Sequence, residues 1–174
     1  QLREDDELIN VKLTSGEDEI LIAGSNGKVI RFEEDEVRPM GRTASGVRGF
    51  NTDGGTVVGV AVSHEGKYLL SVSENGYGKR SEIDEYRKTN RGNKGVKTIN
   101  VTTKTGSLVT VRAVNGDEDA MIVTDKGIII RIALDHVGVY GRNTQGVKLI
   151  NVADDETVTK VAVVAKNEEE QSEE

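Results

Sequence analysis

Short apolar runs recur along the chain, and their lengths and partial alternation predict β-strands rather than helices. One series of runs rich in Val, Ile and Leu occupies residues 7–13, 56–63, 107–114 and 157–164. A second series comes in pairs joined by a turn, at 19–23 with 28–32, 68–72 with 77–81, and 120–124 with 128–132. The turns end in Gly27, Gly76 and Gly127, and the first two are Asn-Gly pairs, which favour tight hairpins. The chain therefore predicts three β-hairpins with separate strands between them.

Two sequence motifs recur with one common period, which indicates internal repeats. The first motif is Arg, three residues, Gly, Val, a basic residue, any residue and an apolar residue, and it occupies 42–50, 91–99 and 142–150. The second motif, Gly-x-x-x-Arg, begins at Gly27, Gly76 and Gly127. Successive copies of both motifs lie 49 and 51 residues apart. A period near 50 residues is in the range of propeller blades, so we predict an all-β array of about three units, stacked radially or linearly.

Composition excludes several classes of protein. The 174 residues include no Cys, which excludes disulfides, thiolate zinc sites and cysteine nucleophiles. No apolar run approaches the roughly 20 residues of a membrane helix, and the N-terminus does not resemble a signal peptide. The chain begins at Gln1 rather than Met, so we expect it to be part of a longer protein.

Charge is distributed unevenly along the chain. The formal net charge is −7, yet residues 38–148 carry 17 basic and 11 acidic side chains, between two strongly acidic ends. The densest basic stretch runs from Lys79 to Lys97. The last eight residues, 167–174, include five Glu, and we expect this acidic tail to be disordered. It would either aid solubility or compete with phosphates for the basic middle of the chain.

Catalytic constellations are absent from the sequence. The only histidines, His64 and His136, are 72 residues apart, and the acidic run 117–119 lacks the spacing of a calcium loop. No phosphate-binding loop of the Gly-Lys-Ser/Thr type occurs. We therefore predict no catalytic residue and no metal ligand in this chain, and we expect a binding module.

Several ordered segments resemble one known family. Gly-Tyr-Gly-Lys-Arg at 76–80, Met-Ile-Val-Thr-Asp at 121–125 and Gly-Arg-Asn-Thr-Gln-Gly-Val at 141–147 closely resemble the C-terminal domain of bacterial DNA gyrase A, part of a type IIA topoisomerase. The resemblance implies a propeller-like β-pinwheel of nominally six blades, of which residues 1–166 would form about three. The family's first-blade basic box, Gln-Arg-Arg-Gly-Gly-Lys-Gly, is absent here, so we expect this chain to wrap DNA less well than a complete domain.

The same resemblance implies a non-catalytic function. The chain would bind and wrap double-stranded DNA through its phosphates, without sequence preference, and so support ATP-dependent negative supercoiling by the whole enzyme. The partners would be the rest of gyrase A and also gyrase B, in the cytoplasm of a bacterium, at the nucleoid. ATP and Mg²⁺ would belong to the whole enzyme, with no cofactor in this part. DNA cleavage in the family uses a Tyr directly after an Arg, and no Tyr of this chain has that neighbour. The alternative function is a protein-interaction scaffold of the propeller type.

Two groups of basic side chains are the candidates for phosphate contacts, namely those that recur once per repeat, which would lie at intervals along a rim, and those of the dense basic stretch from Lys79 to Lys97. The candidates are Arg42, Arg48, Lys79, Arg80, Arg87, Lys88, Arg91, Lys94, Lys97, Arg142 and Lys148. A structural alternative exists for Arg42, Arg91 and Arg142, whose side chains would tie the loops between blades to backbone carbonyls. Glycines at the fifth position of the first motif are expected to serve turn geometry rather than phosphate approach.

Overall fold

The structure is a computed structural model that describes residues 2–166. Its regular elements are eleven β-strands and four single-turn 3₁₀ helices. The strands are β1 (Glu19–Gly24), β2 (Lys28–Glu33), β3 (Val57–Val62), β4 (Tyr68–Ser73), β5 (Tyr77–Glu82), β6 (Val96–Lys97), β7 (Leu108–Val114), β8 (Glu118–Thr124), β9 (Ile129–Ala133), β10 (Val147–Lys148) and β11 (Val158–Ala165). The 3₁₀ helices are Glu34–Glu36, Ser63–Glu65, Ile83–Glu85 and Leu134–His136.

The strands form three antiparallel sheets, which we call blades 1, 2 and 3. Blade 1 has the strand order β3-β1-β2-β6, and blade 2 has the equivalent order β7-β4-β5-β10. Blade 3 contains β11-β8-β9 and has no fourth strand within residues 2–166. The centre of each blade is a hairpin, β1-β2, β4-β5 or β8-β9, and the strand beside its first member comes from the following part of the chain. Each hairpin is thus extended into a sheet by residues that follow it in the chain.

The three hairpin turns have the same backbone geometry. Gly27, Gly76 and Gly127 have φ angles of 77°, 81° and 82°, in the left-handed region where glycine is preferred. The amide of each glycine donates to the carbonyl three residues earlier, at 3.0, 3.0 and 3.1 Å. The sequence prediction that these glycines occupy equivalent positions in three β units is therefore confirmed.

The outer strand of blades 1 and 2 is supplied by the first motif of the next repeat. We call the segments 38–50, 87–99 and 138–150 arms 1, 2 and 3. Arm 2 pairs Lys97 with Lys28 on β2, and arm 3 pairs Lys148 with Tyr77 on β5. A Cβ built on Gly76 would overlap the Ile150 carbonyl oxygen, so the arm lies directly against the hairpin turn. Glycine is required at this turn both for its φ angle and for the close approach of the arm.

The hydrophobic core lies mainly between the blades. One cluster joins blades 1 and 2 around the fully buried Leu21, Leu69 and Tyr86. A second cluster joins blades 2 and 3 around Leu70 and Ile122. Because these side chains belong to successive repeats, the blades stabilise one another rather than folding as isolated sheets.

One strand prediction is wrong. Residues 7–13 form no strand, and Leu8 and Leu13 are 71% and 89% exposed. The equivalent strands β3, β7 and β11 each pair with the hairpin that precedes them in the chain, and residues 7–13 have no preceding hairpin within residues 2–166. The two-residue strands β6 and β10 were not predicted, because a pair of residues carries no periodic pattern. The expected disorder of the tail 167–174 concerns residues outside the described part of the chain.

The close approach of arm 3 to blade 2 predicts unequal effects for one substitution at two equivalent turns. Gly76→Ala and Gly127→Ala introduce the same left-handed alanine, at about 1–2 kcal/mol. Only Gly76→Ala adds a clash with an arm, because a Cβ on Gly127 has no neighbour within 4 Å. We expect Gly76→Ala to lower the free energy of unfolding by about 1–3 kcal/mol more than Gly127→Ala in urea denaturation followed by circular dichroism. Equal losses would contradict this packing.

Candidate nucleic-acid interface

The structure separates the eleven candidate residues by exposure. Lys79 and Arg80 are buried, with 0% and 9% of their surface exposed. Arg91 and Arg142 are half-buried. The others are exposed, namely Arg42, Arg48, Arg87, Lys88, Lys94, Lys97 and Lys148. A phosphate contact requires an accessible cation, so burial decides which of the predicted residues can serve.

Lys79 has a structural position inside blade 2. Its Nζ donates hydrogen bonds to the carbonyls of Gly141 and Arg142, at 2.8 and 2.6 Å, and to Thr144 Oγ1 at 3.4 Å. Burial lowers the pKa of Lys79 to about 8, from an ordinary value of 10.5. The prediction that Lys79 contacts phosphate is therefore corrected, since its ammonium group is occupied in fixing arm 3 to blade 2.

Arg80 joins two blades and is also unavailable to DNA. Its Nε donates to the Val137 carbonyl at 2.7 Å, and its guanidinium lies 5.2 Å from the centroid of the Tyr68 ring. The equivalent Arg31 donates through Nη1 to the carbonyl of Tyr86, the residue equivalent to Val137, at 3.0 Å, and to that of Ile83 at 2.9 Å. In blades 1 and 2 the arginine of the Gly-x-x-x-Arg motif thus connects one blade to the next, and the prediction that Arg80 contacts phosphate is corrected.

Arg91 and Arg142 hold the arms side by side. Arg91 Nη1 donates to the Arg48 carbonyl at 3.1 Å, and Arg142 Nη1 donates to the Lys97 carbonyl. Arg48 and Lys97 occupy the same position of the first motif. Each guanidinium therefore fastens its own arm to the preceding arm. This is the structural alternative for these two residues, in which the side chain ties a loop between blades to a backbone carbonyl.

Lys88 is exposed but already paired. Its Nζ forms ion pairs with Glu19 and with Glu33, the latter at 2.6 Å. Hydrogen bonds to these carboxylates, Glu19 first, raise the pKa of Lys88 above its ordinary value. A phosphate would have to replace two carboxylates, so Lys88 is a poor candidate for DNA contact.

Six exposed cations remain, and we call them the basic rim. They are Arg42, Arg48, Arg87, Lys94, Lys97 and Lys148. Arm 1 carries the first two, arm 2 the next three and arm 3 the last, and the Arg91 and Arg142 clamps hold the three arms in sequence. Arg87 and Lys94 line an open cleft of about 520 Å³, and Lys97 lines another of about 500 Å³. The rim is therefore a row of accessible positive charges that continues across neighbouring blades.

One further basic group on the same side was missed by sequence reasoning. Lys104 Nζ lies 5.3 Å and Lys148 Nζ 5.7 Å from the centroid of the Tyr77 ring, and all three residues line an open cleft of about 390 Å³. Lys104 belongs to a loop outside both motifs, so no repeated pattern marks it.

Asp53 places a negative charge among these cations. Its carboxylate pairs with Lys94 at 2.8 Å and with Lys28 at 3.4 Å. Hydrogen bonds from Lys94 and then Lys28 hold the pKa of Asp53 below its ordinary value. The carboxylate thus occupies, between two ammonium groups, the kind of position that a phosphate oxygen would take.

The acidic and histidine side chains of the described residues do not form a metal site. Residues 2–166 contain no group of three or more His, Cys, Asp or Glu side chains placed to hold a metal ion. His64 Nδ1 lies 2.8 Å from Asp18 Oδ2, and the backbone amide of His64 also donates to Asp18. This pair fixes the 3₁₀ turn between β3 and β4.

Over residues 2–166, no helix has the length and apolar character of a membrane span.

Comparisons with known sequences agree on one family. The family model described as DNA gyrase C-terminal domain, beta-propeller, matches three times, at residues 18–64, 67–115 and 118–165. The chain is 48% identical over 174 residues to DNA gyrase A of Staphylococcus aureus strain MRSA252, and 47% identical over 175 residues to that of strain NCTC 8325 / PS 47. These alignments cover 98% and 99% of this chain but 20% of each relative, so the chain spans about a fifth of their length.

Solved structures give the same result for the fold. A DNA gyrase A C-terminal domain superimposes with a TM-score of 0.78 at 27% identity, covering 85% of this chain and 51% of that chain. The C-terminal domain of a DNA topoisomerase IV superimposes with a TM-score of 0.87 at 23% identity, covering 95% of this chain and 52% of that chain. The second likeness shows the fold alone. The predicted resemblance and the predicted propeller-like β repeats are both confirmed.

Burial of Lys79 predicts a particular dependence of stability on pH. Between about pH 8 and 10.5 the unfolded chain retains a proton on this residue that the folded chain has released. The contribution of Lys79 to the free energy of unfolding therefore rises with pH across this window. Between about pH 7.5 and 9.5, wild type should gain about 1–2 kcal/mol relative to Lys79→Met in urea denaturation. Exposed Lys67→Met is the control and should follow wild type. If the free energy of unfolding had the same pH dependence in wild type and in Lys79→Met, the lowered pKa of Lys79 would be contradicted.

Proposed function

The chain belongs to the DNA gyrase C-terminal domain, beta-propeller family, and we propose that it binds double-stranded DNA along the basic rim without catalysing a reaction itself. The observation that carries this proposal is the continuity of accessible cations across three arms, in a chain whose overall charge is negative. Without such a row, an acidic protein would repel DNA.

The chemistry of the rim favours phosphates over bases. Each Lys or Arg that neutralises a phosphate releases condensed counterions, which supplies most of the affinity of non-specific binding. The described residues contain no helix of the kind that enters the major groove, so direct reading of base edges has no structural element here. Binding would therefore be independent of the DNA sequence, apart from a preference for duplexes that bend more easily.

The arrangement of the rim favours a curved path for the duplex. Arm 2 lies on blade 1 and arm 3 on blade 2, so a duplex that contacts successive arms would follow the blades around the outside of the array. Such a path would wrap the duplex around the module. In the whole protein the module would support negative supercoiling together with the rest of gyrase A and with gyrase B, in the bacterial cytoplasm. ATP and Mg²⁺ would act elsewhere in that enzyme.

We expect the chain to bind a labelled duplex with a steep dependence on salt. If about four to six phosphates are engaged, the logarithm of the binding constant should fall with the logarithm of salt concentration with a slope of about −4 to −5. Reversal of Arg48, Arg87 and Lys97 to Glu should weaken binding to all duplexes alike and reduce this slope. Fluorescence anisotropy over a salt series measures both quantities.

The control for this triple variant is reversal of Lys67, Lys126 and Lys160, which are exposed, lie outside the arms and change the net charge equally. If DNA binds through the rim, the control should retain much more affinity than the rim variant. Equal losses would mean that only total charge matters. A duplex affinity that does not change with salt, or no measurable binding of the duplex, would contradict the proposal and favour the protein-interaction scaffold.

A substitution of Asp53 tests the same rim through an expected gain of duplex affinity rather than a loss. Asp53→Asn removes a carboxylate that competes with phosphate for Lys28 and Lys94, while the amide tolerates the left-handed backbone of this residue, whose φ angle is 51°. We expect duplex affinity to rise by about threefold at low salt, because the neutral amide no longer holds the two ammonium groups in these weak, exposed ion pairs. The control, Asp117→Asn, removes the same charge from an exposed turn outside the rim. An equal gain for both variants would contradict a local effect of Asp53.

A further inference from the structure

A cleft beside the hairpin turn of blade 2 places two lysines near one aromatic ring. Lys104 Nζ lies 5.3 Å and Lys148 Nζ 5.7 Å from the centroid of the Tyr77 ring. Within residues 2–166 neither ammonium group forms an ion pair, and Asp154, which lines the same cleft, pairs with neither lysine. Two neighbouring charges of the same sign repel each other, so an anion that lies between them is stabilised.

The loop that carries Lys104 is fixed to the hairpin turn. This loop, residues 100–107, connects arm 2 to β7. Asn75, in the turn between β4 and β5, donates from Nδ2 to the carbonyls of Thr103 and Lys104, at 3.0 and 3.1 Å. The backbone amide of Asn75 donates to the Thr105 carbonyl at 3.0 Å. The backbone of Lys104 is therefore positioned in advance, which lowers the entropy cost of binding a ligand.

Blade 1 has a carboxylate at the equivalent place. Its loop 51–56 is held by the hairpin turn in the same way, since Asn26 Nδ2 donates to a carbonyl of that loop at 2.7 Å. The loop carries Asp53, whose carboxylate lies 3.4 Å from Lys28 Nζ and 2.8 Å from Lys94 Nζ. The lysines of blade 1 thus have an anion that the chain itself supplies.

Blade 2 has cations at this place and no such carboxylate. Tyr77 pairs with Lys148 of arm 3 as Lys28 pairs with Lys97 of arm 2, so the two places are matched in strand register. The loop of blade 2 is two residues longer, and it supplies Lys104 and no acidic residue. Blade 2 therefore gathers positive charge where blade 1 balances it.

We propose that a phosphate of the bound duplex enters this cleft and contacts both Lys104 and Lys148, as Asp53 contacts two lysines in blade 1. The inference rests on the proposed function, because the phosphate belongs to the duplex that follows the basic rim. Lys148 is a rim residue, whereas Lys104 lies outside the arms. The contact therefore extends the rim toward the hairpin turn of blade 2, through charge-assisted hydrogen bonds.

The opposite end of the blades is acidic. The four 3₁₀ turns follow strands at the end away from the hairpin turns, and they contain seven Asp or Glu and no Lys or Arg. Carboxylates repel a phosphate from this end. Lys67 lies there, directly before β4, with its Nζ 5.6 Å from the centroid of the Tyr68 ring. Lys67 thus has the same contact with a ring as Lys104, at the other end of the same blade, and is its matched control.

The test uses the absence of Cys from the chain, which makes any introduced thiol unique. The variants Lys104→Cys, Lys97→Cys and Lys67→Cys of the 174-residue chain are each mixed with a duplex that carries a disulfide tether on one backbone phosphate. We expect Lys104→Cys and the rim variant Lys97→Cys to cross-link about tenfold faster than Lys67→Cys, because the duplex is concentrated beside them. Division of each rate by that with a small neutral disulfide corrects for thiol reactivity.

A second measurement tests the charge of Lys104 rather than its position. Lys104→Gln should lower duplex affinity by about fivefold or more at low salt and reduce the magnitude of the salt slope by about 0.9, the value for one phosphate. Lys67→Gln should leave both quantities unchanged in fluorescence anisotropy. Circular dichroism of all variants establishes that the fold is intact.

The outcomes separate this inference from the proposed function. Cross-linking of Lys97→Cys but not of Lys104→Cys, or equal affinities of Lys104→Gln and Lys67→Gln, would overturn the inference and leave the proposed function standing. Equal cross-linking of all three Cys variants would also overturn it. No cross-linking and no binding of the duplex would overturn both.

A free phosphate ion is the other source of the same chemistry. If the cleft serves the duplex, inorganic phosphate and chloride at equal ionic strength should weaken duplex binding equally in wild type. Stronger competition by inorganic phosphate that disappears in Lys104→Gln would assign the cleft to the free ion and overturn the inference.

Discussion

The structure depends on one constraint, namely that the outer edges of blades 1 and 2 are completed by the following repeat. A hairpin of two six-residue strands is marginal alone, and its open edge presents unpaired backbone groups. Arms 2 and 3 cover two such edges with only two paired residues each. The approach is so close that glycine is needed on both sides of the contact, in the hairpin turn and in the arm. Neighbouring blades are thereby joined through backbone as well as through their shared hydrophobic core.

This constraint also divides the basic residues between structure and function. Cations on the hairpins, Lys79 and Arg80, are buried between a blade and the next repeat and donate to backbone carbonyls. Cations on the arms lie at the outer edge, because the arm itself is the outermost strand. Two of these, Arg91 and Arg142, are used to hold neighbouring arms together. The six residues of the basic rim are other cations of these arms, and they are exposed because the arms lie at the outside of the blades.

Acidic side chains modify this rim locally. Glu19 and Glu33 engage Lys88, and Asp53 engages Lys94, so two exposed cations of the densest basic stretch already have counter-ions. Exposed pairs of this kind are weak in water and are screened by salt. A polyanion can therefore displace them, at some loss of affinity. A count of Lys and Arg in the sequence thus overstates the number of charges that are free to meet a phosphate.

The sequence alone determined the period, the three hairpins and their glycine turns, because these depend on local patterns of apolar residues and on the φ angles that glycine allows. It also determined the family, through ordered motifs. Only the tertiary structure decided that residues 7–13 are not a strand, since a strand at this position of the repeat pairs with a preceding hairpin, and residues 2–166 include none before it. Likewise Lys79 and Lys97 look alike as basic residues in one stretch, yet one is fully buried and the other exposed. Burial depends on contacts between repeats about 50 residues apart, which no local pattern records.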